Sequence, residues 1–419
     1  MKLNKPENSN YAATVVEIKN RIPLDNCDNV VATAIFGFQA IVGKEVKVGD
    51  VGIVFPAETQ LSDEYCHNNN LYRHGDRNLD QSKKGYIEDN RRIKAVKFRG
   101  NNSSCFFVSL ESLKWTGVDI KDLKVGNEFD ELDGKKICQK YVVFMPTPRN
   151  YIAQKKNFSR VESKHMPEHL DSDNFHKWGD TVPDDKQIIV TQKIHGTSIR
   201  IGNTFAKRKL NIFERIAKLA GIQVSEFTHD YIYGSRKVIK DVNNPYQNHF
   251  YGSDIWSREG ERVKGLLPKN YIVYGELVGW TGELPIQKNY TYNIEKGVAE
   301  LYVYRIAIVN EDGFLTDLSW DQTVEFCKSV GLKHVVEVWR GVKKDFIVSE
   351  WMDKRYNDGL GLIETLSLGS NMELVDEGVC IRIDGMRPRI LKAKGPKFFE
   401  HETKILDEGV QDLESSQSN

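Results

Sequence analysis

The sequence predicts an α+β protein in which an all-β domain precedes a domain of strands and helices, and two observations support this prediction. In the first third of the chain, short apolar runs are separated by Gly, Asn and Asp, which is typical of a small β-barrel or sandwich. From Gln187 onward, strand-like runs alternate with helix-like runs. With 419 residues, the chain is long enough for two or three domains with hydrophobic cores.

The first third contains four strand candidates, each a short apolar or alternating run. These candidates are Tyr11–Ile18, Val30–Val42, Val51–Phe55 and Arg92–Phe98. Between the last two, residues His67–Asn90 are rich in Asn, Asp, Arg and Lys. We expect this stretch to form a long exposed loop, because it lacks apolar periodicity.

The second part contains seven strand candidates and three helix candidates. The strand candidates are Gln187–Gln192, Ser198–Gly202, Tyr271–Glu276, Glu300–Val309, Val335–Val338, Gly378–Asp384 and Pro388–Lys394. The helix candidates are Ala206–Ile222, Asp321–Val330 and Val348–Tyr356. In the first helix candidate, apolar residues share one face at helical spacing and the other positions are basic. The residues of that face are Leu210, Phe213, Ile216, Leu219 and Ala220.

The chain is expected to divide near Tyr141–Arg160, a basic stretch in which two X-Pro steps disfavour helix. The predicted parts are an N-terminal β domain over 1–142, a linker over 143–185, the strand-and-helix domain over 186–405 and a polar tail over 406–419.

Composition excludes several classes of protein. Lys plus Arg and Asp plus Glu are equal at 59 each, so an anionic partner must be held by local basic patches. The six cysteines form no C-x-x-C pair, which argues against a zinc ribbon and a disulfide framework. The polar N-terminus has no signal-peptide core, and the longest apolar run is too short to span a bilayer. We therefore expect a cytoplasmic protein without a membrane partner.

Common catalytic motifs are also missing from the sequence. It contains no G-x-x-x-x-G-K-[ST] phosphate loop, no Rossmann glycine fingerprint and no G-x-S-x-G elbow. His165 and His169 have i, i+4 spacing, but a proline lies between them and the H-E-x-x-H pattern is absent. A zinc site at these histidines is therefore not expected.

Lys193 is the residue that most needs a chemical explanation. It follows the apolar run Ile188–Val190 in the stretch TQKIHGTSIR, and His195 and Gly196 come directly after it in a predicted turn. Lysine is rarely buried, and most lysines lie in solvent. When desolvation or neighbouring cations lower its pKa, a lysine in a cleft can act as a nucleophile.

Further charged residues lie at strand ends in the second part. Lys392 and Lys394 alternate with Ala393, so both project from one strand face, where two ammonium groups suit a phosphate chain. Glu276 follows an apolar run in YGELVG, and Glu377 precedes an alternating strand in DEGVCIRID. Taken alone, each lysine or glutamate is better explained as a solvated residue at a strand edge.

The order of these residues resembles the covalent nucleotidyltransferase superfamily of polynucleotide ligases and capping enzymes. Its signature is K-x-[DH]-G, an arginine, a glutamate after an apolar strand, an aromatic strand, E-G-hydrophobic and K-x-K. Here these motifs stand as KIHG, SRK, YGELVG, LYVYRI, DEGVCI and LKAK, between about Asn150 and Glu400. Histidine in the third place of KIHG is similar to RNA ligases, whereas most DNA ligases and capping enzymes carry aspartate there.

The resemblance implies a fold and a reaction. The fold would be an ATP-grasp-like ligase domain of antiparallel sheets with flanking helices. The enzyme would be an ATP-dependent RNA ligase with Mg²⁺ or Mn²⁺, joining RNA or RNA/DNA ends that carry a 5′-phosphate and a 3′-hydroxyl. The first step would be attack of Lys193 on the α-phosphate of ATP. A monomer is favoured.

The resemblance also assigns roles to individual residues. The implied catalytic residues are Lys193, His195, Glu377, Lys392 and Lys394, with Glu377 as the metal ligand. The implied nucleotide-binding residues are Gln192, Lys193, Arg236, Glu276, Tyr304, Lys392 and Lys394. Gly196 would permit a tight turn beneath the nucleotide, and Thr197 and Arg200 are further candidates. Since His195 stands where relatives carry aspartate, the metal shell would differ from theirs.

The N-terminal β domain is similar to the OB-like domain that precedes the catalytic domain in one group of RNA ligases. Only 25 residues follow Lys394, so no OB domain is expected after the paired lysines. The basic residues predicted to bind nucleic acid are Arg91, Arg92, Lys94, Lys97 and Arg99. The alternatives are a DNA ligase, a capping-type nucleotidyltransferase and a non-catalytic nucleic-acid-binding protein. The role of the long insertion Thr204–Tyr231 is left open.

Overall fold

The computed structural model of the protein describes residues 3–143, 160–240, 253–357 and 375–409. These residues divide into two compact units. The first unit contains 3–143, 173–181 and 394–409, and the second contains 160–172, 182–240, 253–357 and 375–393. The boundaries expected at 142, 185 and 405 stay predictions, and much of the linker and of the polar tail lies outside the described residues.

The first unit consists of short strands with little helix. Its strands are β1 (Ala13–Glu17), β2 (Val30–Ile35), β3 (Phe38–Gly43), β4 (Val51–Pro56), β5 (Thr59–Leu61), β6 (Val96–Phe98), β7 (Asn101–Ser103), β8 (Cys105–Ser109), β9 (Glu128–Phe129), β10 (Glu131–Leu132), β11 (Lys135–Lys136), β12 (Cys138–Lys140) and β13 (Asp173–Asn174). Strands β8, β4, β1 and β9 form an antiparallel sheet in that order. Its core includes Val15, Ile53, Phe55 and Phe129.

The apolar run Val30–Val42 forms a hairpin of β2 and β3. Phe36 and Gly37 connect the two strands with φ of 51° and 74°, the left-handed conformation that tight hairpin turns require. Of the predicted strand Arg92–Phe98, only β6 is a strand.

The polar stretch His67–Asn90 is not a wholly exposed loop, so that expectation was wrong. Tyr72, Asn78 and Ile87 are buried in it. The Asn78 side chain accepts from the Tyr72 N–H at 2.9 Å and donates to the Tyr72 carbonyl at 2.9 Å. Its polar residues therefore satisfy backbone groups inside the fold, as buried polar groups must.

The second unit contains two sheets in which nearly every pairing is antiparallel. Its strands are β14 (Gln187–Lys193), β15 (Thr197–Lys207), β16 (Phe227–Gly234), β17 (Tyr271–Gly279), β18 (Ala299–Val309), β19 (Leu315–Asp317), β20 (Lys333–His334), β21 (Glu337–Val342), β22 (Gly378–Ile383) and β23 (Arg389–Lys394). One sheet has the order β23, β22, β14, β21, and the other has the order β16, β15, β17, β18, β19. Strand β20 pairs with β18 in parallel. The expected strand Val335–Val338 was misplaced, because Val335 and Val336 lie between β20 and β21.

Helices are short in both units. The α-helices are α1 (Asp63–Asn68), α2 (Phe175–Trp178), α3 (Ile212–Leu219), α4 (Ile255–Arg262), α5 (Trp320–Val330), α6 (Val348–Asn357) and α7 (Pro396–Asp407). The 3-10 helices are Ser9–Tyr11, Gly75–Arg77, Leu110–Thr116, Ile120–Asp122, Ser163–His165, Gly179–Thr181 and Lys343–Asp345. Among the described residues, no helix has the length and apolarity needed to cross a bilayer.

The helix expected over Ala206–Ile222 is much shorter than the sequence pattern indicated. Ala206 and Lys207 still belong to β15, and α3 begins only after Asn211. The Asn211 side chain accepts from the Glu214 N–H, and the Glu214 carboxylate accepts from the Asn211 N–H, which forms a capping box. This cap sets the start of the helix, whereas the apolar spacing alone did not mark it.

Candidate active site

A cleft in the second unit is lined by strands of both sheets. Its empty volume of about 830 Å³ includes space that is open to solvent. Its lining residues include Gln192 and Lys193 of β14, Ser198 of β15, Tyr274 and Glu276 of β17, Tyr304 of β18 and Cys380 of β22. Polar groups therefore converge on one concavity from five strands that are distant in sequence.

Lys193 stands at the end of β14 and forms an ion pair in the cleft. Its Nζ lies 2.9 Å from Oε2 of Glu377, whose side chain is almost completely buried. The two residues meet because β14 pairs with β22 in a register that places Lys193 opposite Gly378. The carboxylate explains how a lysine is retained at the end of a buried strand, since burying an unpaired charge is costly.

The turn after Lys193 approaches the neighbouring strand β17 closely. A Cβ atom on Gly196 would lie 2.2 Å from the Leu277 carbonyl oxygen, so only glycine fits there. Gln287 Nε2 donates to the Gly196 carbonyl at 2.8 Å. His195 Nδ1 lies 3.6 Å from the Glu377 carboxylate. The turn thus holds His195 and Lys193 against the same acid.

Two tyrosines that the sequence analysis did not identify support this turn. The Tyr292 hydroxyl accepts a hydrogen bond from the His195 N–H at 2.6 Å. The Tyr290 ring lies edge-on to the His195 ring at 4.9 Å, and its hydroxyl donates to the Val375 carbonyl at 2.8 Å. Burial raises the pKa of Tyr292 far above its ordinary value, so its hydroxyl stays neutral.

The tyrosines lie in a segment with an unusual backbone. Three residues there have left-handed φ angles, namely Asn289 at 68°, Tyr292 at 52° and Asn293 at 57°. Asparagine adopts this conformation more readily than most residues, so the sequence NYTYN contained a signal of a sharply turned segment. A left-handed tyrosine is held only by strong surrounding contacts.

Glu276, which lines the cleft, and Asp376 are each in contact with a neighbouring polar side chain. Glu276 of β17 lies opposite Ser198 in the strand pairing and accepts from the Ser198 hydroxyl at 3.3 Å. Gln192 Nε2 donates to Asp376 Oδ1 at 3.1 Å. Asp376, which the sequence analysis did not single out, is buried beside Glu377.

Comparison with known proteins identifies the family of the domain that contains this cleft. Residues 186–394 match the family model of RNA ligase. Residues 186–394 belong to the RNA ligase family. No curated protein matches the chain.

Solved structures of Naegleria gruberi RNA ligase share the fold. The form with PPi has a TM-score of 0.60 at 15% identity, covering 94% of this chain and 98% of that chain. A mutant with AMP and Mn has a TM-score of 0.59 at 15% identity, covering 93% and 98%. A mutant with ATP and Mn has a TM-score of 0.58 at 14% identity, covering 94% and 98%. At these identities the likeness concerns the fold.

Tyr304 and Arg236 also line the cleft of this RNA ligase domain. The Tyr304 hydroxyl lies 2.5 Å from Nδ1 of His169, another lining residue. Arg236 Nη2 donates to Asp171 Oδ1 at 3.0 Å. His165 is not among these lining residues, and its Nε2 lies 2.6 Å from the Glu311 carbonyl oxygen.

Thr197 and Arg200, the further candidates of β15, are both buried in the RNA ligase domain. Arg200 is not among the lining residues of the cleft. It donates to the Met166 carbonyl at 2.7 Å and to the Lys237 carbonyl at 2.9 Å. Arg200 therefore connects two backbone segments through hydrogen bonds.

The two lysines of LKAK lie in different surroundings. Lys392 is close enough to Cys380 for its charge, with that of Lys193, to act on the thiol. Burial has the larger effect and raises the pKa of Cys380 to about 11. Lys394, the last residue of β23, belongs to the first unit, where its Nζ lies 2.9 Å from Glu402 Oε1 of α7. Within the second unit, Lys392 and Lys193 therefore both lie near Cys380.

The basic residues predicted to bind nucleic acid are engaged with acids and backbone of the first unit. Arg91 lies 3.3 Å from Asp63, Lys97 lies 3.1 Å from Glu400, and Arg99 donates to the Asn26 carbonyl at 2.6 Å. In these ion pairs the Lys97 side chain is 57% accessible and that of Arg91 is 27% accessible.

Arg92 and Lys94 belong to a charged group that we call the α7 cluster, composed of Glu58, Arg92, Lys94, Thr403 and Asp407. Arg92 is buried and contacts Asp407 at 2.6 Å and Glu58 at 3.5 Å. Lys94 contacts Asp407 at 2.8 Å. Burial of Arg92 argues against a direct role in phosphate binding.

Proposed function

We propose that the protein is an ATP-dependent RNA ligase that forms a lysyl-AMP intermediate on Lys193. AMP then passes to a polynucleotide 5′-phosphate, and a 3′-hydroxyl displaces it to seal the break. The observation that carries the proposal is the Lys193 amine, which lies in the cleft 2.9 Å from Glu377 and on the same cavity as Glu276 and Gln192. The Naegleria gruberi RNA ligase of the same fold has been solved with ATP, AMP and PPi, which supports a nucleotide in this cleft.

In the first step, the Lys193 nitrogen forms a bond to the α-phosphorus of ATP, and the bond to the pyrophosphate oxygen breaks. The ammonium has to lose a proton before it attacks, and the Glu377 carboxylate is the group in contact with it. Lys392 and Arg236 provide positive charge for the phosphate oxygens. The step is an in-line displacement, so the fixed position of Lys193 at a strand end favours it.

In the second step, an oxygen of the 5′-phosphate attacks the AMP phosphorus. The phosphorus–nitrogen bond breaks and its electron pair returns to Lys193, which takes up a proton. In the third step, the 3′-hydroxyl attacks the activated phosphate and AMP leaves. Lys394 stays a predicted participant in these steps by the resemblance of LKAK to the family motif.

Nucleoside recognition is proposed to involve three residues of the cleft. Tyr304, whose hydroxyl is held by His169, is placed to stack on the base. Glu276 would accept from the ribose hydroxyls, and Gln192 would contact the edge of adenine. With these three roles, the lining of the cavity would recognise a purine nucleotide.

The residues at the cleft would bind a divalent cation only together with phosphate oxygens of the substrate. Among the described residues, no group of three or more His, Cys, Asp or Glu side chains could hold a metal ion. Mg²⁺ is commonly bound by one or two carboxylates together with phosphate oxygens, and this donor set matches Glu377 beside a bound triphosphate. Glu377 would hold Mg²⁺ or Mn²⁺ together with these phosphate oxygens. The cation would supply charge neutralisation for the phosphates.

The first unit is proposed to be the OB-like domain that grips the polynucleotide, over about residues 1–142. Its short antiparallel strands support this proposal. Arg91, Lys97 and Arg99 remain the proposed contacts to RNA. A monomer acting in the cytoplasm on broken or nicked RNA is the proposed setting.

The test is to incubate the protein with ATP, GTP or NAD carrying a labelled nucleoside monophosphate. We expect label from ATP that is lost in acid and kept in alkali, and no label on Lys193→Ala. Lys269→Ala, an exposed lysine of the same unit, is the matched control and should label normally. Labelling by GTP alone would indicate a capping-type enzyme, and no label from any nucleotide would indicate a non-catalytic protein.

The polynucleotide is tested separately by joining a panel of nicked duplexes and single strands. RNA and DNA are varied on each side of the break. We expect joining of substrates that contain RNA at the break. Efficient joining of all-DNA nicks only would overturn the choice of RNA ligase.

A further inference from the structure

The hairpin of β15 and β16 ends in an insertion that the proposed chemistry does not use. The hairpin neck is closed by a hydrogen bond from the Arg208 N–H to the Glu226 carbonyl at 3.0 Å. Beyond it lies α3, which has no buried residue. We call residues 207–222, which contain this helix, the tip segment.

The tip segment exposes an apolar face of unusual size. Its exposed apolar side chains, with their accessible fractions, are Ile212 (68%), Phe213 (79%), Ile216 (59%), Leu219 (88%) and Ile222 (60%). At 100° per residue, the four that lie in α3 fall within about a third of the helix circumference. Scattered exposed apolar residues are ordinary, but a contiguous group on one helix face marks an interaction surface.

Other helices cover their apolar residues. Trp256 in α4, Trp320 in α5 and Phe398 in α7 are each 1% exposed. The exposure of the α3 face is therefore a local property of the tip segment and not a general feature of helices in this protein.

The tip segment is also strongly basic. It contains Lys207, Arg208, Lys209, Arg215 and Lys218 but one acid, Glu214, so five positive charges less one negative give a local net charge of +4. The whole chain is neutral, with 59 basic and 59 acidic residues. Glu214 is occupied by its capping box and by an ion pair with Arg208 at 2.7 Å. Lys218 and Lys207 form ion pairs with Glu226 and Glu162, which lie outside the segment.

The combination of an apolar face and a basic rim selects one class of partner. An anionic partner is required by charge complementarity. A nucleic acid offers phosphates but no surface for three exposed isoleucines and a leucine. An interfacial helix on an anionic bilayer satisfies both features, because its apolar face enters the acyl boundary and its Lys and Arg residues meet the headgroups.

We propose that the tip segment binds the surface of a bilayer that contains anionic lipid, without crossing it. Ile212, Phe213, Ile216 and Leu219 enter the interface, and Lys209, Arg215 and Lys218 contact the headgroups. The sequence analysis expected no membrane partner, because it considered only segments that span a bilayer. The site would hold the enzyme at a membrane surface while leaving the cleft chemistry unchanged.

The test is co-sedimentation of the full chain with vesicles of phosphatidylcholine alone or with about a third phosphatidylserine. We expect at least about tenfold tighter binding to the anionic vesicles, weakened by salt. Leu219→Asp should lower that binding by about tenfold or more, and Arg215→Glu with Lys218→Glu should lower it by a similar factor. The matched controls are Leu284→Asp and Phe314→Asp, which change equally exposed apolar residues outside the tip segment.

Because α3 has no buried residue, these variants should fold and accept label from ATP as the parent does. Equal binding of the parent to both vesicle types, or binding that Leu219→Asp leaves unchanged, would overturn the proposal. Loss of self-association in Leu219→Asp, measured by sedimentation velocity without lipid, would assign the face to a second copy of the chain instead. Loss of binding to single-stranded RNA in the same variant would assign it to nucleic acid.

Discussion

The cleft of the second unit and the α7 cluster of the first unit both bury charged side chains, yet they differ in what surrounds those charges. Lys193 lines a solvent-open cleft and forms its ion pair with Glu377 there. Glu58 and Arg92 are enclosed by protein and by the residues of α7. Burial of charge alone therefore does not distinguish a site for chemistry from a structural contact, whereas an adjoining cavity does.

The two regions also differ in how well the charges are paired. In the α7 cluster, the Thr403 hydroxyl donates to Glu58 at 2.7 Å, but Arg92 Nε remains 3.5 Å from the other Glu58 oxygen. Burial accordingly raises the pKa of Glu58 to about 7. Such a cluster specifies where α7 lies and adds little net stability, because desolvation offsets the ion pair.

The largest expected effect is a loss of activity on substitution of Glu377, which belongs to the second unit and not to the α7 cluster. Glu377→Gln keeps the shape of the side chain but removes the charge that contacts Lys193, so we expect lysyl-AMP formation to fall by roughly 10³-fold. Single-turnover labelling with ATP measures this rate. Glu325→Gln, at an exposed acid of α5, should label at the parent rate. A Glu377→Gln protein that labels normally would show that the cleft acid has no catalytic role.

The second effect concerns stability and should appear only in the α7 cluster. Arg92→Met leaves Glu58 and Asp407 without their buried partner, so we expect the free energy of unfolding to fall by about 3–5 kcal/mol. Urea denaturation measures it. Arg73→Met removes an exposed ion pair with Glu88 and should cost less than about 1 kcal/mol. Equal losses in the two variants would contradict a structural role for the cluster.

The third effect is a pH dependence of stability that arises from Glu58. Its pKa is raised in the folded state from 4.5 to about 7, so the folded protein retains a proton that the unfolded chain releases. Its contribution is full below about pH 4.5 and is lost as pH rises to about 7, amounting to about 3 kcal/mol. Unfolding of the parent and of Glu58→Gln is compared from pH 4.5 to 8. The difference between them should change over that window, and a constant difference would refute the assignment.

The smallest expected effect lies in the cleft. Tyr292→Phe keeps the buried ring but removes the hydroxyl that accepts from the His195 N–H, so we expect labelling to slow by about tenfold. Tyr231→Phe is the matched control, because its hydroxyl bonds the Leu267 backbone outside the cleft lining. A positioning role for Tyr292 further requires that the slower rate persist at saturating ATP. A defect that disappears at saturating ATP would indicate a role in binding instead.

The sequence predicted the positions of strands well, because a strand is marked by a local pattern of apolar residues. Apolar runs placed β14, β17 and β22 within a few residues, so the positions of Lys193 and Glu377 at strand ends were predictable, whereas Glu276 lies inside β17, which continues to Gly279. Their meeting was not, since Lys193 and Glu377 are 184 residues apart and come together only through the pairing of β14 with β22. The resemblance to a family supplied that information in advance.

The errors have equally specific causes. Arg92 looked like a surface cation because its acidic partner Asp407 is 315 residues away. The helix in the tip segment was predicted too long, since apolar spacing does not show where a cap such as Asn211 begins it. Tyr290 and Tyr292 were missed because their contribution depends on a left-handed backbone at Asn289 and Asn293.

Cys380 lines the cleft, and burial holds its thiol in the protonated form. A pKa of about 11 leaves roughly one thiolate in 10⁴ molecules at pH 7, and the thiolate is the form that reacts with peroxides and alkylating agents. The Cys380 thiol in the cleft therefore has low reactivity as a nucleophile. Alkylation of Cys380 by iodoacetamide should consequently be slow, and mass spectrometry of the treated protein measures it.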